Sequence, residues 1–388
     1  MGIKKVLIAC LILAAFGSAS VMSAGGLGLG DNPAAPGVEK EKAKVETGFT
    51  LFSNTLSDKD TLYRNSLNYN TIKAKNVTEG MGGLWASWTD KFQDFWYTVK
   101  YANGTGMGKG FSSKNDFGTK RVTLTEDQSE KLTFGIARDF AEFGGFTGGV
   151  NLGINTDRTK GISTVSSPGT KKYEIVSGAE SDAYLTVALG LAKNLDSKSK
   201  VIVGQTLPTT KTVKDNDTTV DGKKTIDGGR GYNDFVAAET AVSYIYKFDK
   251  NLEFAGTLAH NWGGKFDWQQ FDKNGNDVGP EREIEYLPYD TIGIAASYLY
   301  SDFEFVGYAN FINDAEITVM DDNRVDTTNP FDKTYYYYGV DTTVLGVSAF
   351  WNLAKAGTIG LNIENSRRVG GRDVTDSTTT ALSYKYLF

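Results

Sequence analysis

The sequence is poor in several things at once: one cysteine (Cys10), one histidine (His260) and seven prolines in 388 residues. A lone thiol near the N-terminus excludes a disulfide framework, and with a single imidazole beside it zinc has no ligand set. The scarcity of proline leaves long stretches able to pair every backbone N–H. Positive charge is not in excess either, with 41 Lys+Arg against 47 Asp+Glu and a net charge of −6. The basic face of a nucleic-acid binder is therefore missing. Beyond residue 24 no apolar run approaches the roughly 18 residues that a membrane-crossing helix needs. If this chain crosses a membrane, it does so with strands.

What is abundant is glycine (44 residues), tyrosine (20) and phenylalanine (22). Met1–Ala24 has a charged start (Lys4, Lys5), an apolar stretch from Val6 to Phe16 and a small-residue region before Gly25-Gly26. This is the three-part layout of a secretory signal peptide. Leu7-Ile8-Ala9-Cys10 spells a lipid-attachment pattern, but the apolar run continues past Cys10, which argues for ordinary cleavage after Ala24. A Gly/Pro/Ala stretch and a charged run follow, and read as a flexible lead over residues 25–43 with the capacity to act as a plug.

From about Lys44 the chain repeats strand-like runs of period 2, and no helical period persists with caps. In Gly145–Asn155 the even positions include Phe146, Val150, Leu152 and Ile154, while the odd ones are Gly145, Thr147, Gly149, Asn151, Gly153 and Asn155. One face is apolar and the other is small and polar. The same split sets Leu132, Phe134 and Ile136 against Thr133, Gly135 and Ala137, and Ile359, Leu361 and Ile363 against Gly360, Asn362 and Glu364. A soluble sandwich alternates too, so the connections decide. From residue 131 onward short ones (141–144, 194–199, 249–251, 301–302, 354–357) alternate with long polar ones (near 158–181, 208–233, 263–288, 313–335, 366–377). Aromatics gather at strand ends, as at Trp262, Tyr298, Tyr300, Tyr335–Tyr338 and Trp351. The pattern predicts an all-β fold over residues 44–388, a single transmembrane antiparallel β-barrel of 14–16 strands with short periplasmic turns and long extracellular loops.

Two counts fit. Fourteen strands result if 62–74, 83–90 and 94–103 are strands, 104–130 is one external loop and 44–54 is a periplasmic lead. Sixteen result if 44–54 and 118–126 are both strands. Both counts are even, as closure with both ends on one side requires.

The chain stops inside a strand, Thr380–Phe388, with apolar residues on every second position and an aromatic last. In this it resembles the Gram-negative outer-membrane barrel proteins, porins in particular. The resemblance implies that Tyr384, Tyr386 and Phe388 form a signal read by the barrel-assembly machinery and that export follows the Sec route. It further implies a wall surrounded by outer-membrane lipid and lipopolysaccharide, and a homotrimer, with no nucleic-acid partner.

For function, strand parity points Lys100, Glu239, Lys247, Glu304, Glu364 and Lys385 into the lumen as pore-lining candidates, with Glu253 in the same parity. These read as isolated charges among Gly, Thr, Ser and Asn, a lining that suits a wet channel. Glu239, near the middle of an expected strand at 234–248, is the charge best placed to meet a solute. Catalysis is not expected: His260 lies on the apolar face beside Trp262 and lacks the H-x-S arrangement of the outer-membrane phospholipases. No metal or cofactor is expected. Gly26–Gly30 lacks the strand and helix of a phosphate cradle, and Asp272–Asp277 lacks the closing Glu of a calcium loop. Asp321-Asp322-Asn323 with Asp326 reads as solvated loop acidity. Ala141–Gly145 resembles the P-E-F-G-G turn of the porin constriction loop, with Ala in place of Pro.

The main expectation is an outer-membrane porin, a water-filled channel for passive diffusion of small hydrophilic solutes or ions. The alternative is a transporter of hydrophobic substrates with an N-terminal plug. For that reading, Asn32-Pro33-Ala34 resembles an N-P-A motif near the N-terminus of the fatty-acid channel family.

Overall fold

Fourteen strands close on themselves. The computed structural model describes residues 32–34, 43–58, 71–73, 77–114, 120–140, 144–169, 171–313, 317–320, 335–337, 341–370 and 373–388. The barrel strands are β1 (Lys44–Asp58), β2 (Val77–Phe92), β3 (Phe95–Lys114), β4 (Lys120–Phe140), β5 (Phe146–Ser166), β6 (Tyr184–Asn194) and β7 (Ser199–Thr206). They continue with β8 (Glu239–Lys247), β9 (Leu252–Asn261), β10 (Tyr289–Tyr300), β11 (Phe303–Ile312), β12 (Asp341–Asn352), β13 (Thr358–Gly370) and β14 (Asp373–Leu387). Each pairs antiparallel with the next, and β14 returns to β1, with Glu46 opposite Leu387 and Asp58 opposite Thr375. Closure satisfies every ladder within the wall, the condition for strands to sit in lipid.

The count of 14 therefore stands, with a different assignment of its first members. The alternating run Val45–Phe52 is not a lead: it is the strand that zips the barrel shut, and Phe49 packs against Tyr384 with ring centroids 5.8 Å apart. Of the expected strand 62–74, only Thr71–Lys73 is a strand, paired with the far end of β3, and the rest lies outside the described residues. The described residues of 104–130 are strand rather than loop, because β3 and β4 stay paired out to Lys114 opposite Lys120, with one irregularity between Gly108 and Phe111. Of the segment 118–126, residues 120–126 belong to β4 rather than to a strand of their own, and 118–119 lie outside the described residues. Strand β12 starts at Asp341, not 336; Tyr335–Tyr337 pairs instead with Ile317–Met320. Backbone pairing outlasts side-chain alternation once a hairpin leaves the membrane, which is why parity alone misplaced these ends.

The turns at one end are short, and two are tied by an aspartate. Asp196 accepts the N–H groups of Lys198 and Ser199 at 2.7 Å each, and Asp249 accepts those of Asn251 and Leu252 at 2.7 and 3.0 Å. These backbone donors hold both exposed carboxyls below their ordinary pKa. At the other end the sheet grows past the barrel through strands such as Tyr173–Ser181, Thr209–Asp215, Gly231–Val236, Gly264–Phe271 and Asp277–Tyr286. Short turns on one side and built-up hairpins on the other are the layout of an outer-membrane barrel.

Side chains sort by parity. Leu185, Leu258, Ile294 and Val347 lie exposed on the outer face, where lipid is their solvent, while Thr133, Thr147, Ser243, Ser297 and Ser348 are buried on the inner one. A shallow depression of about 420 Å³ around Gly307, rimmed by Tyr298, Phe305, Val347 and Ile363, opens on the lipid side and is not part of the lumen.

Candidate functional site

The inner wall is not uniformly polar. Ala192, Ile202, Ile245, Ala255, Ala295, Val306, Tyr308 and Val344 form one buried apolar cluster. All sit at inward positions, since their strand neighbours Leu191, Tyr244, Phe254, Ile294, Phe305 and Leu345 are exposed on the lipid side. Register lines up two runs of this belt, Ala192 with Ile202 and Ile245 with Ala255, Ala295 and Tyr308, while Ser243 stands opposite Ile202 between them. The belt crosses β6 to β12, half the circumference. These side chains are at most 6% exposed and are packed away from open water, with Ser243 and Ser297 beside them on the same wall.

One described stretch of the lead, Asn32-Pro33-Ala34, is buried against this wall. It rests on Gly149 and Gly190, which belong to a row of small residues in direct register across six strands, Ala137, Gly149, Gly190, Gly204, Ala241 and Ala259. A Cβ on Gly149 would stand 2.5 Å from the carbonyl oxygen of Pro33, and one on Gly190 would stand 2.8 Å from Pro33 Cδ. Glycine is therefore required for the approach. Asn32 Nδ2 donates to the Val203 carbonyl at 2.9 Å, and Asn32 Oδ1 accepts the Ala34 N–H at 2.9 Å. Ala34 is fully buried and joins the apolar belt.

A polar group stands elsewhere on the same wall. Tyr308, Gly346 and Glu364 share one cross-strand row. A Cβ on Gly346 would lie 2.5 Å from Tyr308 Cε1, so the bare glycine lets the ring lie flat and reach Glu364. Tyr308 Oη donates to Glu364 Oε2 at 2.7 Å and lies 3.3 Å from Asn362 Oδ1, which accepts from Ser348 Oγ at 2.7 Å.

The six pore-lining candidates separate. Glu364 stands at mid-wall as described. Lys385 bonds Glu46 at 3.2 Å, which also bonds Lys44 at 3.3 Å, all three largely buried near the periplasmic end. The expectation of isolated charges is thus corrected: β1 and β14 meet at closure and bring these three together. Glu304 is 3% exposed and accepts from Ser297 Oγ at 2.6 Å. Lys247 faces Glu253 across the β8–β9 ladder, and Lys100 shares a row with the buried Thr133. Glu239 is not mid-strand. It opens β8 at the outer end and is 7% exposed, with its backbone N–H donating to Thr206 Oγ1 at 2.9 Å.

The terminal aromatics are ordered around the closing strand. Tyr384 Oη donates to the Ala356 carbonyl at 2.6 Å, the Phe388 N–H donates to the Val45 carbonyl at 2.9 Å, and the Tyr386 and Phe388 rings meet edge to face at 4.6 Å. His260 meets Trp262 edge to face at 4.6 Å on the outer wall, and its Nδ1 lies 2.8 Å from Asp290 Oδ1. In the 272–277 tip the Asp272 carboxylate accepts the N–H groups of Asn274 and Asn276, and Gly275 takes φ +81°, a closed turn rather than an open ion loop. Residues 1–31, 141–143 and 321–326 lie outside the described residues, and with them the export signal, Gly26–Gly30, most of the 141–145 turn and the Asp321 cluster.

No known family profile matches the sequence, and no curated protein matches it. Solved structures do match the fold. A FadL homologue from Pseudomonas aeruginosa aligns with a TM-score of 0.56 at 11% identity over 92% of each chain. The Ralstonia pickettii toluene transporter TbuX aligns at 0.55 and 12% over 94% of each chain, and the monoaromatic hydrocarbon channel CymD at 0.53 and 12% over 94% of this chain and 93% of that one. This chain has the closed 14-strand fold of the outer-membrane β-barrels.

The porin expectation is corrected here. TbuX and CymD are a toluene transporter and a monoaromatic hydrocarbon channel, which backs the hydrophobic-substrate alternative in place of a general porin. The lumen gives the physical reason: a small polar lining was inferred from glycine, serine and threonine, but the belt and the seated Asn32–Ala34 segment interrupt it. Sequence parity had a signal for this. Ile245 falls on the same face as Glu239, Ala241, Ser243 and Lys247, and an isoleucine there has no place in a wet lining.

Proposed function

We propose that this outer-membrane barrel is a channel for hydrophobic substrates, with residues 25–43 acting as a plug in its lumen. The observation that carries the reading is the burial of Ala34 in the same apolar cluster as Ala192 and Ile202. A segment seated by one side-chain hydrogen bond and a glycine-paved contact blocks ions yet is displaceable. An apolar solute would travel along the belt, exchanging water-poor wall contacts rather than carrying a hydration shell.

Solute movement is passive, and the chain is not an enzyme. Export by the Sec route through Met1–Ala24, and assembly through Tyr384, Tyr386 and Phe388, belong to the same proposal. The wall would then sit among outer-membrane lipid and lipopolysaccharide. The test is conductance in planar bilayers of the refolded full chain beside a variant lacking residues 25–43. The reading expects small or no ionic current from the full chain and a large, steady current from the deletion. Equal, large currents from both would remove the plug.

A further inference from the structure

Along the belt, one polar feature is built rather than incidental. Tyr308 spans β11 to β13 over Gly346 and gives its only phenolic proton to Glu364 Oε2, at 2.7 Å. That bond uses one carboxylate oxygen. Glu364 remains half-exposed on the lumen side, and no ion-pair partner for it stands among the described residues. Its second oxygen, Oε1, therefore faces the passage as an acceptor, held in place by a ring that belongs to the apolar cluster. Asn362 and Ser348, bonded to each other at 2.7 Å, floor the same spot.

An apolar wall that ends on a fixed acceptor selects by the head of what slides along it. A molecule with an O–H or N–H head satisfies Oε1 while its body stays on Val306, Ala295 and Val344. One with a carboxylate head places two acceptors against each other, and one with no polar head leaves Oε1 to water.

We infer that Glu364, positioned by Tyr308, forms a head-group subsite for apolar molecules carrying a hydrogen-bond donor, namely alcohols, phenols or amines, and disfavours apolar carboxylates. The inference rests on the hydrophobic-channel reading and adds a substrate class to it.

The test uses the full-length barrel in lipid nanodiscs and measures retention of three probes of similar size over that of empty nanodiscs. These are 1-octanol, its isomer 1-methoxyheptane, which accepts but cannot donate, and octanoate. The expected order is octanol over methoxyheptane by about tenfold, the worth of a hydrogen bond to a charged group, with octanoate weakest. Glu364→Gln should narrow the octanol preference to about twofold and admit octanoate. Tyr308→Phe, which keeps the carboxylate but removes the bond that positions it, should also narrow the octanol preference and covers the case in which the first variant misfolds. Equal retention of octanol and methoxyheptane by the unaltered chain, or a preference unmoved by Glu364→Gln, overturns the subsite and leaves the channel reading standing. Retention of none of the three above empty nanodiscs overturns both.

Discussion

The carbonyl oxygen of Pro33 occupies the space in front of Gly149, 2.5 Å from where a Cβ would stand. Gly190, opposite Gly149 in the ladder, is covered in the same way by Asn32 and Pro33. Replacing either glycine by alanine should therefore leave the barrel intact and unseat the segment. Overpacking of this kind costs about 1–3 kcal/mol, and among the described residues the seat has one side-chain hydrogen bond to the wall, from Asn32 to the Val203 carbonyl, to offset it. The expected outcome for Gly149→Ala and Gly190→Ala is unchanged heat-modifiable mobility on gels and bilayer currents shifted toward those of the 25–43 deletion. Currents equal to the full chain's would mean that the segment has another anchor.

Much of the wall was legible in the sequence, for a physical reason. Lipid on one side imposes a strict period of 2, so Val150, Leu152 and Ile154 announce their face without help from tertiary contacts. The lumen imposes no such rule. Whether Ile202, Ile245 and Val306 meet water or one another depends on which strands are neighbours and in what register, and that is decided by closure of β1 on β14. Sequence-local reading also missed Tyr308, whose role depends on a glycine 38 positions away. Asn32-Pro33-Ala34 was visible as a motif, but its seat is scattered over Gly149 on β5, Gly190 on β6 and the Val203 carbonyl on β7.

Gly346 is required by Tyr308. Gly346→Ala should rotate the ring off the wall and break its bond to Glu364, costing about 1.5–3 kcal/mol for a hydrogen bond to a charged group. Thermal unfolding of Gly346→Ala, Tyr308→Phe and the double variant checks the relationship. The double should be no less stable than the worse single, because both changes remove one interaction. Additive losses would mean that the two positions act separately.

Lys385, Glu46 and Lys44 tie the last strand to the first. Side chains this deeply covered lose more on mutation than surface pairs, since Glu46 is left with one partner in place of two. A Lys385→Met and Glu46→Gln cycle, followed by urea unfolding of the folded barrel, should give a coupling of about 0.5–3 kcal/mol. No coupling would place the closure energy in the backbone ladder alone.

The hairpin formed by Thr218–Val220 and Lys223–Ile226 carries an acid-sensitive clasp. Lys224 bonds Asp227 at 2.7 Å and Asp217 at 3.0 Å, and Asp217 accepts the Gly228 N–H at 2.7 Å. The Gly228 amide, first, and Lys224, second, hold the Asp217 carboxyl below its usual 3.8. A depressed carboxylate stabilises the fold above its unfolded pKa and loses that contribution as pH falls through the lower, folded value. The Gly228 amide resonance should therefore titrate with a midpoint below 3.8, and Asp217→Asn should abolish the titration. A midpoint at or above the ordinary value would show that the clasp is open in solution.

Outer-membrane entry of a labelled monoaromatic hydrocarbon and of a labelled monosaccharide, measured side by side in cells with and without the full-length chain, bears most directly on the central claim. A channel whose lumen is an apolar belt behind a seated plug speeds the hydrocarbon and leaves the sugar's rate unchanged. A faster sugar with an unchanged hydrocarbon would contradict it.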